Sequence, residues 1–372
     1  MKIAVYNVEN LFHRNLNLVK RTLEDSLDSL TEEFEYLKRR PNKGEHEITR
    51  MRELSFLLGF HRSGLEPYMV MRRSEGVLYL RKKSSGKERR AHLHKGWNGW
   101  IRVSSKPIPA TAVAHKAKVI QESQADILVL QEVEDRHSLV DFNLNYLPPE
   151  NRFKEVVLIS GNDQEGRELA ILTRKGYQLM DLRSYANLTG SDGTCLFEKD
   201  VQEYLIHGPG RERLLIISAH LRDQGRMGTN ADLRRSEQAA KIAEIYRERR
   251  REGFSSIVVA GTLNAPSFCR SLEPLVGETD LKTITRHSRF DVRKDTGFDG
   301  EYHSLGAYRL GVNIKQRLYL LLSPALFKRL RSSGMNRKGV YPRKTRQWQT
   351  YSTLRLEGHQ ASSHPLIWGE IG

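Results

Sequence analysis

Four short segments of this 372-residue chain are apolar almost without interruption: DILVLQ at 126–131, RLLIISA at 213–219, SIVVA at 256–260 and RLYLLL at 317–322. A strand with one wet face alternates apolar and polar residues, whereas runs of this kind are buried on both faces. The chain must therefore cover a sheet from both sides. Helical patterns lie between the runs. Ala112–Gln124 reads as a helix, and a second follows Thr229 or Asn230, either of which can cap it. That second helix places Ala239, Ile242, Ala243 and Tyr246 on one face and stops at Gly253. Further strands are predicted at 3–8, 153–159, 168–173 and 365–371. Strands alternating with helices and hairpins predict a layered α/β domain around a central sheet core.

One long segment interrupts this pattern after the first strand. Leu16–Arg39 has helical spacing (Leu16, Val19, Leu23, Leu27, Leu30, Phe34, Leu37), and 47–60 also reads as a helix. Tyr68–Lys83 alternates on both arms of a hairpin expected to turn at Ser74-Glu75-Gly76. The expected organisation is a main domain of 1–13 and 110–372, with 14–109 as an inserted subdomain packed on it. No internal repeat is visible.

Charge narrows the partner class. The chain carries 61 Lys+Arg against 45 Asp+Glu, a formal +16. Such an excess points to a polyanion, most often nucleic acid. It is clustered: 328–346 holds eight Lys/Arg and no acid, and 72–95 holds nine against Glu75 and Glu88. Backbone contacts are expected from Lys82, Lys83, Arg337, Lys338, Arg343, Lys344 and Arg346, with base stacking on Trp348. Two cysteines, Cys195 and Cys269, exclude a disulfide framework or a Cys-rich zinc site. No apolar run approaches the ~18–20 residues of a bilayer span. MKIAVYNVENLF lacks the long apolar core of a signal peptide. A cytoplasmic location and no membrane partner are expected.

The strand ends carry more information than the strands. YNVENLF at 6–12, LVLQEVED at 128–135, GRELAILTR at 166–174, SAHL at 218–221, GTLNA at 261–265, RLYLLLSP at 317–324 and SSHPL at 362–366 occur in that order. In this the chain resembles the endonuclease/exonuclease/phosphatase superfamily, over residues 1–12 and about 110–372. The resemblance implies a four-layered, DNase-I-like α/β sandwich and a metal-dependent phosphodiesterase site. It places Asn7 and Glu132 at the metal and Asn264, His220 and His364 in the catalytic cleft.

The departures from the pattern are chemical. Thr262 stands where the resemblance implies the carboxylate of a GDxN turn, Leu318 where it implies the Asp of an (I/L)DY strand, and Ser363 where it implies the Asp of SDH. Glu168 stands for a usual Asp, and Ala219 precedes His220 where an Asn is common. The loop acids Glu134, Asp135, Asp163, Glu165 and Asp223 are expected to be solvated charges. A hard divalent ion left with Glu132 as its one carboxylate should bind poorly. The expectation is a nuclease-like, catalytically degenerate protein that binds DNA or RNA, within a nucleoprotein assembly that includes other protein subunits. No cofactor is expected, with Mg²⁺ or Mn²⁺ needed if activity remains. The alternative is an active Mg²⁺/Mn²⁺-dependent endonuclease or phosphodiesterase using rearranged ligands, kept open by Glu132, Asn264 and His364.

Overall fold

A computed structural model describes residues 1–12, 26–40, 42–57, 69–73, 99–103, 108–163, 167–223, 228–291, 316–342 and 348–372. The chain divides into two compact units. One comprises Met1–Leu11, Pro109–Asp163 and Arg167–Gly372, the other Phe12–Ile108 with Gln164–Gly166. Strand β1 (Lys2–Asn7) opens the larger unit. Helices α1 (Ser26–Arg39) and α2 (Glu45–Leu57) and strands β2 (Met69–Arg73) and β3 (Gly99–Val103) lie in the smaller one. Within that smaller unit Phe34 and Leu37 of α1 are buried, as are Met51 and Leu54 of α2.

Strand β2 pairs antiparallel with β3, Met69 opposite Val103 and Arg73 opposite Gly99. The turn expected at Ser74-Glu75-Gly76 and the arm over 77–83 lie outside the described residues, as does the 13–25 part of the long predicted helix.

The larger unit continues with α3 (Ala110–Ser123), β4 (Ile127–Val133), α4 (Arg136–Asn145), β5 (Glu155–Ile159), β6 (Glu168–Thr173) and β7 (Gln178–Ser184). Then come β8 (Val201–His207), β9 (Arg213–His220), α5 (Gly228–Arg251), β10 (Ile257–Thr262), β11 (Lys282–Thr283) and β12 (Phe290–Asp291). The last elements are β13 (Leu318–Leu322), α6 (Pro324–Lys328), β14 (Leu330–Asn336) and β15 (Leu366–Ile371). They build a seven-stranded sheet, β12-β14-β15-β1-β4-β6-β5, and a six-stranded sheet, β11-β13-β10-β9-β8-β7. Together with the helices the two sheets make an α/β sandwich.

Strand alternation decides what each sheet face touches. Ile3 and Val5 of β1, Ile127 and Val129 of β4, Leu214 and Ile216 of β9, Val258 and Ala260 of β10 and Leu318 and Leu320 of β13 form one buried cluster between the sheets. The opposite positions of the six-stranded sheet, Leu215, Ile217, Ile257, Val259, Tyr319 and Leu321, pack with Ala239, Ile242, Ala243 and Tyr246 of α5. The continuous apolar runs are explained by these two buried faces. The α5 face is the one predicted, and its helix ends before Gly253, whose φ of +92° suits glycine.

Parallel pairing positions the site. In β1 and β4, Asn7 lies opposite Gln131; in β10 and β9, Thr262 lies opposite His220. In both parallel pairs the inward apolar series ends in a polar residue at the C-terminal end. Ligands of α/β sheets sit outside such ends.

Candidate functional site

Left-handed backbone gathers at these strand ends. Glu9, Asn10, Glu132 and Asn264 have φ of 47°, 65°, 60° and 57°. Non-glycine residues adopt this region at a cost of about 1–3 kcal/mol each, and such strain concentrates at functional sites. Glu132 occupies a bulge, where the β4–β6 register skips between Gln131 and Val133. The extra residue turns its carboxylate out of the strand alternation. Gly261 of β10, φ +144°, passes so close to β9 that an added Cβ would lie 1.8 Å from the Ala219 carbonyl oxygen.

The Asn7 side chain links the two sheets. Its Nδ2 donates to Glu132 Oε1 (3.1 Å) and to Thr262 Oγ1 (3.2 Å), while its Oδ1 accepts from the Glu9 N–H (3.0 Å). That last bond fixes the amide orientation and places nitrogen toward the carboxylate. His220 Nε2 lies 3.6 Å from Glu132 Oε1. Lys199 Nζ lies 3.0 Å from the same Nε2 and 3.3 Å from Asp223 Oδ2. A lysine ammonium only donates, so Nε2 accepts and the ring proton sits on Nδ1. Asn264 Nδ2 donates to Asp223 Oδ1 and to the Leu221 carbonyl (2.8 Å). Arg167 Nη1 stands 3.7 Å from Asp223 Oδ2.

These contacts set the protonation states. Burial, then the Lys199 charge, holds His220 below the ordinary histidine value, so the ring is neutral near pH 7. Burial opposes ionisation of Asp223, but the neighbouring Lys199 and Arg167 charges outweigh it and hold the carboxyl well below its usual range. His220 Nδ1, Ser218 Oγ and both polar atoms of the Gln131 amide are buried without a hydrogen-bond partner among the described residues. Orphans of this kind are few in a folded protein, and each calls for an explanation, a functional role among them.

A second arm of the cluster comes from the terminal strand. Ser363 donates from its N–H to Glu9 Oε2 (2.8 Å) and from its hydroxyl to Glu9 Oε1. His364 Nε2 is 3.9 Å from the same Oε1. Burial opposes ionisation of Glu9, but His364, the Ser363 hydrogen bonds and Lys116 hold its carboxyl below the usual value. Lys116, buried on α3, donates to the carbonyls of Val8 (2.6 Å) and Ala361, tying the loop after β1 to the segment before Ser363.

The structure brings together Asn7, Glu132, His220, Asn264 and His364, each read from the sequence. It adds Glu9, Lys199 and Thr262 as hydrogen-bonded members of the cluster. Leu318 is 1% exposed and belongs to the intersheet core. The reading of the loop acids is corrected for three residues, Glu134, Asp135 and Asp163. Glu134 is buried and accepts from the Leu11 N–H (2.7 Å), and buried Asp135 caps α4 through the Ser138 N–H (2.7 Å). Buried Asp163 pairs with Arg167 (2.9 Å), and Asp223, half-exposed, joins the site. Glu165 lies outside the described residues.

The basic run 328–346 also differs from a solvated binding loop. Residues 330–336 are strand β14. Trp348 and Arg337 are 5% and 6% exposed, the guanidinium 5.0 Å above the indole, whose Nε1 donates to the Val340 carbonyl (3.1 Å). Neither presents a face for stacking or phosphate contact. Lys338 pairs with Glu122 (2.9 Å). Tryptophan and arginine beside a basic run read as an interface only while their partner strand is unknown. Lys82, Lys83, Arg343, Lys344 and Arg346 lie outside the described residues.

The arrangement does not fit the divalent cation that the resemblance implies. A hard cation takes six or more oxygen ligands, carboxylates foremost. Here Asn7 turns its nitrogen to Glu132, a hydroxyl stands at Thr262, and the Lys199 ammonium lies between His220 and Asp223. Among the described residues no three of His, Cys, Asp and Glu are placed to hold a metal.

The chain resembles solved members of the endonuclease/exonuclease/phosphatase family. An endonuclease/exonuclease/phosphatase family protein from Bacteroides thetaiotaomicron aligns at 16% identity and TM-score 0.49, over 70% of this chain and 84% of that one. A conserved protein of unknown function from Enterococcus faecalis aligns at 14% identity and TM-score 0.48, over 70% and 91%. A mannosyl-6-phosphatase from B. thetaiotaomicron aligns at 16% identity and TM-score 0.48, over 70% and 90%. No family model and no curated protein matches the chain. Among the described residues no helix is long and apolar enough to cross a membrane.

Proposed function

We propose that this chain is a nuclease-like protein that binds phosphate groups of nucleic acid without hydrolysing them efficiently. The observation that carries the reading is the Lys199 ammonium, 3.0 Å from His220 Nε2 and 3.3 Å from Asp223 Oδ2. It supplies at the strand ends a fixed positive charge that a phosphodiesterase would take from a metal. It also occupies the imidazole nitrogen that a general base would present to water. Phosphate affinity survives such an exchange, whereas activation of a water does not. The formal +16 supports a polyanionic ligand over a small neutral one.

A second reading, an active hydrolase with rearranged residues, is favoured by the Glu9–His364 pair. Glu9 lies 3.9 Å from the His364 ring and so stands in for the acid missing at Leu318. One experiment separates the two. Purified protein is incubated with plasmid, single-stranded DNA and RNA in Mg²⁺ and in Mn²⁺, and binding and cleavage are both measured. Salt-sensitive binding with no cleavage is expected. Metal-dependent cleavage that Glu132→Ala abolishes would overturn the proposal in favour of the hydrolase.

A further inference from the structure

The opposite end of the seven-stranded sheet carries a second concentration of charge. A cavity of about 570 Å³ is lined by His287, Ser288, Arg289, Lys328, Arg329, Leu330, Arg331 and Gly372. Register fixes its place. Leu330 pairs with Ile371, and Lys2 with Glu370, so the cavity borders the start of β1, whereas Asn7 ends that strand. Five residues of strand at ~3.3 Å each put roughly 17 Å between it and the strand-end cluster.

Its cations are not spent on the fold. Arg329 is committed, to Glu212 and to the Gly372 carbonyl oxygen (2.7 Å). Arg289, Lys328 and Arg331 are exposed, and among the described residues none has an acidic side chain as partner. The Arg331 guanidinium packs beside Gly372, whose added Cβ would meet Arg331 Nε at 2.2 Å, and the His287 ring stands edge-on to Phe327 at 5.8 Å. Three cations around one cavity, without acidic partners among the described residues, repel one another and are brought together at a cost, which an anion bridging them removes. A single phosphate is satisfied by one forked arginine. Three cations spread around a cavity of ligand size suit consecutive phosphates of a backbone.

We infer that this cavity is a second binding site, for the phosphodiester backbone of a nucleic acid, through Arg289, Lys328 and Arg331. It rests on the proposed function only for the class of ligand, and it stands or falls separately from the strand-end cleft.

The test uses the full chain and a labelled single-stranded oligonucleotide, as DNA and as RNA, with anisotropy read over a range of salt. Arg289→Glu, Lys328→Glu and Arg331→Glu are combined in one variant, with the corresponding Gln variant as a check if charge reversal disturbs folding. Affinity should fall roughly tenfold or more, and the log–log salt slope should flatten by about 2, at ~0.7 per lost phosphate contact. Photo-cross-links should map to the peptides carrying Arg289 and Lys328. Unchanged affinity and slope would overturn the inference. Cross-links confined to peptides carrying Arg167 and Lys199 would overturn it while leaving the proposed function intact; cross-links confined to the cavity would spare the inference and remove the cleft from binding. Inorganic phosphate that binds the cavity while the oligonucleotide does not would overturn the assignment to a backbone.

Discussion

The two ends of the seven-stranded sheet treat charge in opposite ways. At the end where β1 and β4 finish, the charged side chains of the cluster are held in hydrogen-bonded networks: Glu132 with Asn7 and His220, Lys199 with His220 and Asp223, Glu9 with Ser363 and His364. At the other end Arg289, Lys328 and Arg331 stand exposed around a cavity, without acidic partners among the described residues. Both ends are rich in groups able to meet a phosphate, but only the first also builds them into the fold. Substitutions at the first end should therefore cost stability as well as binding, and those at the second should cost binding alone.

The largest effect should come from Gly261→Ala. The new Cβ would lie 1.8 Å from the Ala219 carbonyl oxygen, at a φ of +144°. The β9–β10 pairing that sets His220 beside Thr262 has to open, so a loss of about 3 kcal/mol or more is expected from urea unfolding. A loss below about 1 kcal/mol would mean that the close approach is not needed to seat the cluster. Lys199→Met comes next. It removes the cation from His220 and Asp223, and because Asp223 is half-exposed the cost is discounted to about 1–3 kcal/mol.

The pH dependence sharpens the comparison further. His220 and His115 are both held below their ordinary values by burial, foremost. The unfolded chain therefore binds more protons. Stability is complete above the unfolded histidine value of about 6.5 and falls as pH drops below it, by up to about 1.4 kcal/mol per pH unit for each histidine. Glu9 and Asp223, with lowered values, add a further loss only as pH falls below the usual carboxylate range. Denaturation between about pH 7 and pH 5.5 should show a loss of about 1–2 kcal/mol, reduced in His220→Gln. An unchanged slope in that variant would exclude His220 as a source.

Much of the first end was legible in the sequence. Continuous apolar runs gave the buried strands, and the residues closing them, Asn7, Glu132, His220 and Asn264, do meet. What escaped is instructive. Lys199 sits just before β8, in a stretch with no motif of its own, and only the pairing of β8 with β9 brings it to His220. Glu9 is two residues beyond Asn7, and its turn toward Ser363 follows from a left-handed backbone that composition does not announce. Strand β14 was hidden by the charges around its start, because Lys328, Arg329 and Arg331 mask the apolar alternation of a strand. The same charges concealed a division of labour. Arg337 and Lys338, past the end of the strand's inward course, are tied to Trp348 and Glu122, while Lys328 and Arg331 at its start are exposed.

The smallest effect is expected from Arg331→Met, and it matters because the change is of the same kind as Lys199→Met at the other end. Arg331 is exposed and has no acidic partner among the described residues, so its removal breaks no ion pair. Against that, its guanidinium packs beside Gly372, a contact that methionine gives up at an exposed position. The loss of one repelling charge offsets this, and the change in unfolding free energy should stay within about 0.5 kcal/mol. The measurement is the same urea titration, carried out at low salt where repulsion between Arg331, Lys328 and Arg289 is least screened. A small gain in stability at low salt that vanishes at high salt would be the signature of three cations held together for a ligand. A loss of more than about 1 kcal/mol would show that Arg331 belongs to the fold, as Arg337 does, and the contrast between the two ends would fail.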